Sequence, residues 1–281
     1  MYKILKNEQI SADSYLMEIK YPIPENKLLP GKFVIVMAKK DSERIPLTIY
    51  KYDFEKQVLS LIYQVIGAST EELSTLKDEI FVVAGPLGNA NEICANPKEY
   101  KGKKIVYVAG GVGIAPVYPQ VKYLKEHGLD VDVIYGSRRE DLLLIRDEIE
   151  NVSSNVRYAT DDGSYGIQGF VTDILKENIK DYDVVVAIGP IIMMKNVAAL
   201  TKEYNVKTIV SMNPIMVDGS GMCGACRVEV DGKSKFACVD GPEFDGHLVN
   251  YDLVLKRMGT YREEEKEKWE LMKKELKKEV N

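Results

Sequence analysis

Lys104-Ile-Val-Tyr-Val-Ala109, running straight into Gly110-Gly-Val-Gly-Ile-Ala-Pro116, is the stretch on which the fold turns. A short, unbroken apolar and β-branched run reads as a strand buried on both faces, and the glycine turn after it opens a segment with helical spacing. Strand, tight turn and helix in that order form the repeating unit of a parallel sheet. The alternation continues downstream. Strands are predicted at Val131–Tyr135, Asn155–Ala159, Val184–Ile188 and Thr208–Val210, with helices near 114–127, 139–150, 170–178 and 191–204. Residues 101–212 are therefore expected to form a doubly wound α/β domain.

Ligands of such sheets bind at the carboxyl ends of the strands, which carry Gly110, Gly111 and Gly113, then Gly136-Ser137-Arg138, Asp161-Asp162-Gly163, and Gly189-Pro190 with Met193 beyond. The glycine turn is an incomplete dinucleotide fingerprint: Gly111-x-Gly113 is present, but Pro116 stands where a third glycine belongs. No acidic residue ends the second strand. Ser137 with Arg138 is suited to a ribose hydroxyl or a 2′-phosphate, while Arg138 and Arg139 read equally as a solvated helix start, and Met193-Met194 as core packing.

Upstream, residues 1–100 read as all-β. Tyr15–Ile19, Phe33–Met37, Val58–Ile62 and Ile80–Val83 are short runs punctuated by Gly, Pro, Asp and Asn, the pattern of a small barrel or sandwich. Arg44-Ile-Pro46-Leu47-Thr48 places a cation, a rigid proline and a hydroxyl at a strand start. Tyr63-Gln64-Val65-Ile-Gly67-Ala-Ser69-Thr70 leaves a strand and enters a helix N-terminus, which is suited to phosphate. The plainer alternative makes Arg44 a surface ion-pair residue and Ser69 or Thr70 an N-cap.

Past the α/β region, residues 213–250 hold three of the four cysteines, as Cys223-x2-Cys226 and Cys238, among glycines and serines. This is metal-ligand spacing, and an iron–sulfur cluster competes with a structural zinc. Asp218 lies five residues before Cys223, where plant-type ferredoxin spacing has a cysteine, and is the expected fourth ligand; an Asx turn is its plainer role. Zinc would recruit His247. Cys94 stands alone and reads as structural.

The segment 251–281 is a charged helical tail with Trp269, Met272, Leu276 and Val280 on one face, and with Glu264–Lys268 and Glu270–Lys274 at i,i+4 spacing. A formal charge of −5, from 38 basic and 43 acidic residues, without a basic block interleaved with aromatics, argues against nucleic acid. The N-terminal residues show no signal-peptide core, and the longest apolar run, Val184 to Met194, is about half a membrane span. A cytoplasmic protein is expected. With only two histidines, no Ser/His/Asp or paired-carboxylate constellation is apparent.

Taken together, these motifs resemble the ferredoxin–NADP reductase superfamily over nearly the whole chain. The resemblance rests on Arg44–Thr48, Tyr63–Thr70, Gly85-Pro-Leu-Gly88, GGVGIAP at 110–116 and IGPIIMM at 188–194. The cysteine module narrows it to flavin and [2Fe–2S] electron-transfer subunits. Two branches are similar: the subunit of type B dihydroorotate dehydrogenase, and the small subunit of NADH-dependent ferredoxin:NADP oxidoreductase, shared with sulfide dehydrogenase. The second is nearer in having Asp218 in place of a fourth cysteine and a long C-terminal helix. The resemblance implies FAD held by Arg44, Ser69 and Thr70, with Thr48 near its reactive edge. It further implies NAD(H), with NADP(H) left open by Ser137, Arg138 and Arg139, and a [2Fe–2S] cluster on Asp218, Cys223, Cys226 and Cys238. The expected partner is a larger iron–sulfur flavoprotein, in a heterodimer through which electrons reach ferredoxin, with electron bifurcation left open. Ile188 replaces a cysteine that many relatives carry beside the nicotinamide. The opposing reading is a zinc-stapled, non-redox docking module, which leaves Arg44–Thr48 and Tyr63–Thr70 without a role.

Overall fold

The computed structural model describes residues 1–279, with side chains through Lys274. Its first unit comprises β1 (Tyr2–Gln9), β2 (Ser14–Lys20), β3 (Phe33–Met37), β4 (Arg44–Asp53), β5 (Val58–Gln64), helix α1 (Ala68–Thr75), β6 (Glu79–Ile80) and β7 (Val82–Leu87). The strands form one curled antiparallel sheet in the order β6-β1-β2-β5-β4-β3-β7. The sheet curls into a half-barrel, with β6 and β7 as its edges, so the expected barrel is open. The predicted run Ile80–Val83 is split between these two edges. Period-two alternation sets the interior: Val34, Val36, Ile45, Leu47 and Ile49 face one core with Met17, Leu59, Leu61 and Tyr63.

Helix α2 (Glu92–Ala95) leads into the second unit: β8 (Ile105–Gly110), α3 (Ile114–Glu126), β9 (Val131–Ser137), α4 (Arg146–Val152), β10 (Asn155–Thr160), β11 (Ile167–Gln168), α5 (Val171–Asn178), β12 (Val184–Ile188), α6 (Ile191–Glu203) and β13 (Lys207–Ser211). Strands β10, β9, β8, β12 and β13 lie parallel in that order. Ile105 and Tyr107 of β8 pack under α3, whereas Val106 and Val108 pack under α5 and α6, which is why β8 has no charged residue. The chain winds outward from β8 to one side and returns through β12 to the other. The β8/β12 crevice is thus the switch point of the sheet.

The helix expected over 139–150 is corrected to a single 3₁₀ turn at Glu140–Leu142 followed by α4 from Arg146. Leu142, Leu143 and Leu144 are all buried, and three consecutive side chains on a regular helix would point in three directions. The chain leaves the 3₁₀ turn extended at Leu143, and Ile145 turns into α4 through a left-handed conformation with φ 46°.

The last unit holds the hairpin β14 (Arg227–Val230) and β15 (Lys233–Phe236), then β16 (Glu243–Asp245), α7 (Tyr251–Met258) and α8 (Arg262–Glu279). Strand β16 joins the edge of β13 antiparallel. Helix α8 docks on α1 of the same chain: Trp269 Nε1 donates to Glu71 Oε2 at 3.1 Å. Lys268 pairs with Glu43 at 2.7 Å instead of with Glu264, a correction to the i,i+4 expectation. Val280, and the side chain of Leu276, both assigned above to the apolar face, lie outside what the structure describes. No described helix is long and apolar enough to cross a membrane.

Candidate functional site

The glycines of the switch point are required by close packing. A Cβ on Gly113 would lie 2.3 Å from the carbonyl oxygen of Ile188, and one on Gly110 would lie 2.6 Å from Met193 Sδ and 2.9 Å from Pro190 Cδ. Two of the predicted elements, 110–113 and 188–193, therefore touch across the crevice. Gly111, with φ 53° and open space where a side chain would be, presents backbone to a ligand. Pro116 sits in the first turn of α3, where its missing N–H costs nothing. Ile188 is buried in the core under α3 and offers the crevice only backbone.

At the neighbouring strand ends the structure distributes the predicted residues unevenly. Gly136 is pinned by Val171, whose Cγ1 would be 2.4 Å from an added Cβ. The Ser137 carbonyl accepts from the Asp161 amide at 3.2 Å. Asp162 turns back on Ser164, accepting from its amide at 3.0 Å and its hydroxyl at 2.6 Å, and these bonds hold its carboxyl below the usual range. Arg139 is committed to Asp141 through two bonds of 3.0 and 2.9 Å, while exposed Arg138 reaches Asp13 of the half-barrel at 3.8 Å. Gln64 donates to the same Asp13 at 2.6 Å, tying the end of β5 to this edge.

On the half-barrel, antiparallel pairing sorts the residues by face. Arg44, Pro46 and Thr48 stand opposite Met37, Ile35 and Phe33, so all six share the face turned away from the half-barrel core. Leu47 and Val65 pack into that core. Tyr63 does too: it stacks on Tyr15 and donates its hydroxyl to Asn7 at 2.9 Å, and burial raises its pKa. These three side chains pack on the half-barrel core, Leu47 and Val65 only partly buried. Thr70 takes the capping role, accepting from the amides of Ile66 and Gly67 at 3.0 and 3.2 Å. Ser69 donates to Glu43 at 2.5 Å. Arg44 is exposed and makes no ion pair among the described residues.

The cysteine turn is seated on this same face. Phe33 and Ile35 form a small apolar cluster with Met216, Ala237, Cys226 and Cys238, and Gly219 lies so close to Leu87 and Ile35 that no side chain fits. Cys226 and Cys238 bring their sulfurs to 3.2 Å with both thiols free, while Cys223 is exposed. Burial and the neighbouring thiol push Cys238 up to about 12, with the Gly221 amide acting in the opposite direction. Two stacked sulfurs with an amide aimed at one of them fit a cluster or metal, which would favour the thiolates. Asp218 accepts from Ser220 N at 2.5 Å and Cys223 N at 3.1 Å, the geometry of an Asx turn that faces the exposed cysteine. Among the described residues, no three His, Cys, Asp or Glu side chains are already gathered at metal-binding distance. His247 turns away to Thr201, 3.0 Å from its Nε2, so the zinc set that enlists it is not assembled. Cys94 is buried, and burial lifts its thiol pKa, as a structural role requires.

One group escaped the sequence reading. Glu243 accepts from Asn91 Nδ2 at 2.7 Å and from Gln120 Nε2 at 3.0 Å, so a carboxyl of the cysteine unit is bonded to an amide from each of the other two units. Its partners lie more than a hundred positions away in sequence, and no local pattern marks them.

Comparison with known proteins follows this division. Residues 107–199 match the oxidoreductase NAD-binding domain family, and residues 213–250 match the iron–sulfur cluster binding domain of dihydroorotate dehydrogenase B. The chain is 44% identical over 272 residues to the dihydroorotate dehydrogenase B (NAD(+)) electron transfer subunit homolog of Thermotoga maritima, covering 95% of this chain and 94% of that one. It is 31% identical to the electron transfer subunit of Clostridium perfringens, over 89% and 97% of the two chains. A chain from the structure of an NADH-dependent reduced ferredoxin-NADP oxidoreductase, described for flavin-based electron bifurcation, superposes with a TM-score of 0.87 at 39% identity, over 97% of this chain and 98% of that one. A cytochrome P450 reductase of Amycolatopsis, at 20% identity and a TM-score of 0.60, shares the fold. The chain therefore belongs to the dihydroorotate dehydrogenase B electron-transfer subunit family, flavoprotein oxidoreductase subunits of ferredoxin–NADP reductase fold with an NAD-binding and an iron–sulfur domain.

Proposed function

We propose that this chain passes electrons between NAD(H), FAD and a [2Fe–2S] cluster, and on to or from a larger partner, as the small subunit of an NADH-dependent ferredoxin:NADP oxidoreductase. The observation that carries this reading is the position of Phe33. On β3 it pairs with Thr48, and its side chain packs in the same cluster as Cys226 and Cys238. One side chain thus separates the hydroxyl expected at the flavin edge from the cysteine pair.

When bound, FAD exchanges a hydride with the nicotinamide and the cluster carries electrons singly. The residues supply place and charge. Arg44 neutralises a diphosphate and Ser69 donates to it; Thr48 donates near the flavin ring. Gly111 lets the nicotinamide dinucleotide approach the β8/β12 crevice. Asp218, Cys223, Cys226 and Cys238 would hold the cluster, and Phe33 with Ile35 shields Cys226 and Cys238 from water.

Relatives named as electron-transfer subunits imply a partner subunit. The finer reading is a heterodimer with a larger iron–sulfur flavoprotein, electrons being divided between ferredoxin and NADP. The structural likeness at 39% identity supports this. Pairing with a dihydroorotate-oxidising subunit is the second reading, supported by the names of the relatives at 31–36% identity. Purification of the native complex with identification of the second subunit tests both. Flavin and [2Fe–2S] absorption bleached by NADH is the expected spectrum; a colourless, zinc-containing chain would overturn the redox reading.

A further inference from the structure

The C-terminal helix is the long element that the function above leaves unused, and it docks on α1 through Glu71, and on Glu43, next to the Ser69 and Arg44 assigned there to the flavin diphosphate. Lys268 Nζ lies 2.7 Å from Glu43 Oε1, and Ser69 Oγ donates to Glu43 Oε2 at 2.5 Å. One carboxylate therefore bridges a hydroxyl in the first turn of α1 and an ammonium from α8. A hydroxyl and a cation converging on two oxygens of one anion is the donor set that a phosphate uses. These charge-assisted bonds hold the Glu43 carboxyl below its usual range, the Lys268 bond being the larger cause. Arg44 follows Glu43 directly, exposed and without an ion-pair partner among the described residues.

The helix is fixed at this place by the next residue. Trp269 is half-buried against α1, its Nε1 donates to Glu71 Oε2 at 3.1 Å, and the Lys273 ammonium lies 3.6 Å from its ring centroid. Aromatic body and indole N–H are thus both engaged, the arrangement in which a tryptophan holds one element on another.

We propose that α8 is a clasp for the diphosphate of the bound flavin dinucleotide. Trp269 anchors the clasp to α1, and Lys268 is a second cation beside Arg44. Glu43 is the anion that a diphosphate oxygen displaces from Ser69 and Lys268. The proposal rests on the flavin reading above and adds one binding residue, Lys268, and one positioning residue, Trp269, from a part of the chain far from the flavin motifs.

The test is FAD titration of the full-length, deflavinated protein, followed by flavin fluorescence, with cluster absorption and thermal unfolding recorded for each variant. At low salt, Lys268→Ala is expected to weaken FAD binding about fivefold, the size of one exposed charge contact. Lys268→Glu should weaken it further, Lys268→Arg should restore it, and the differences should shrink near 1 M salt, where screening acts within roughly 3 Å. Glu43→Gln removes the competing anion and should tighten binding. Trp269→Ala should weaken binding and leave cluster absorption intact. Equal FAD affinity in wild type, Lys268→Glu and Trp269→Ala would overturn the clasp, and Lys268, exposed on a helix surface, decides the matter even if Trp269→Ala fails to fold. A wild-type chain with no affinity for FAD is a separate result, one that removes the flavin reading itself.

Discussion

Asn91 donates from Nδ2 to Glu243 Oε2 at 2.7 Å, across 152 positions of sequence, and by this bond the half-barrel unit is tied to the cysteine unit. Gln120 of α3 completes the junction from the nucleotide unit, and Cys94 and Tyr107 are buried beside it. Glu243 keeps some exposed surface as a residue, but the groups meeting its carboxyl are buried. Burial is the largest influence on its pKa and raises it to about 7, against the two amide bonds. In the folded protein the carboxyl thus stays protonated at a pH where the unfolded chain, with a value near 4.5, has ionised. Stability from this group is fully present below about pH 4.5 and is lost as pH rises to about 7. The change is bounded above by roughly 3 kcal/mol, and the residue's partial exposure reduces it. Glu243→Gln should flatten the decline and exceed wild type in melting temperature at about pH 8, because Gln120 Oε1, buried and unpaired, is available to accept from the new amide once Gln120 turns over. A mutant that melts below wild type at that pH would show that the ionised carboxylate is the stabilising form.

Arg44→Ala should lose FAD and retain the cluster. The guanidinium is exposed and without an ion-pair partner among the described residues, so nothing in the fold depends on it, while the cysteines pack on β3 through Phe33 and Ile35. A charge-assisted bond to phosphate contributes about 1.5–3 kcal/mol, or roughly a tenfold to hundredfold loss of affinity. Full flavin occupancy after gel filtration would remove Arg44 from the site.

NADH should be the better donor. Of the two arginines after β9, Arg139 is held by Asp141 in a two-bond pair, and Arg138 lies near Asp13, which leaves no uncommitted guanidinium pair for a 2′-phosphate. Asp141→Ala frees Arg139 and should raise NADPH use several-fold without changing the rate with NADH. Comparable flavin reduction by both nucleotides in the unaltered chain would contradict this assignment.

Asp218 should prove to be the fourth cluster ligand. Its carboxylate faces the Cys223 amide from the position that plant-type spacing gives to cysteine, and Gly219 and Gly221, at φ 78° and 85°, shape the loop between them. Oxygen donates less electron density to iron than thiolate does, so Asp218→Cys should keep a [2Fe–2S] centre at lower potential, and Asp218→Ala should make it labile. An Asp218→Ala protein with unchanged iron content and potential would leave the aspartate with the Asx-turn role alone.

Much of this was legible because it is local. Strand β8 up to Gly110 contains no charged residue because both its faces are covered, and the glycines of 110–113 and 189 mark a close approach that the sequence shows as motif and the structure shows as contact between Gly113 and Ile188. The face assignment was not legible in the same way. Leu47, Tyr63 and Val65 stand in the flavin motifs with Arg44, Thr48 and Ser69, yet they point into the half-barrel core, since neighbouring residues on a strand face opposite sides. The helix expected over 139–150 fails because Leu142, Leu143 and Leu144 are all buried by surrounding elements, and the chain there is a 3₁₀ turn and an extended step before α4.

By itself, then, the sequence determined the order of the units, the strand–turn–helix alternation, the cysteine spacing and the residues suited to diphosphate, because each depends on bonds or periodicities within a few residues. Only the tertiary structure decided that Phe33 lies between Thr48 and the cysteine pair, that Lys268 pairs with Glu43 across 225 positions, and that Glu243 joins all three units. Those relationships are set by how the sheets pack and which surfaces exclude water, and packing joins residues whose distance along the chain carries no signal.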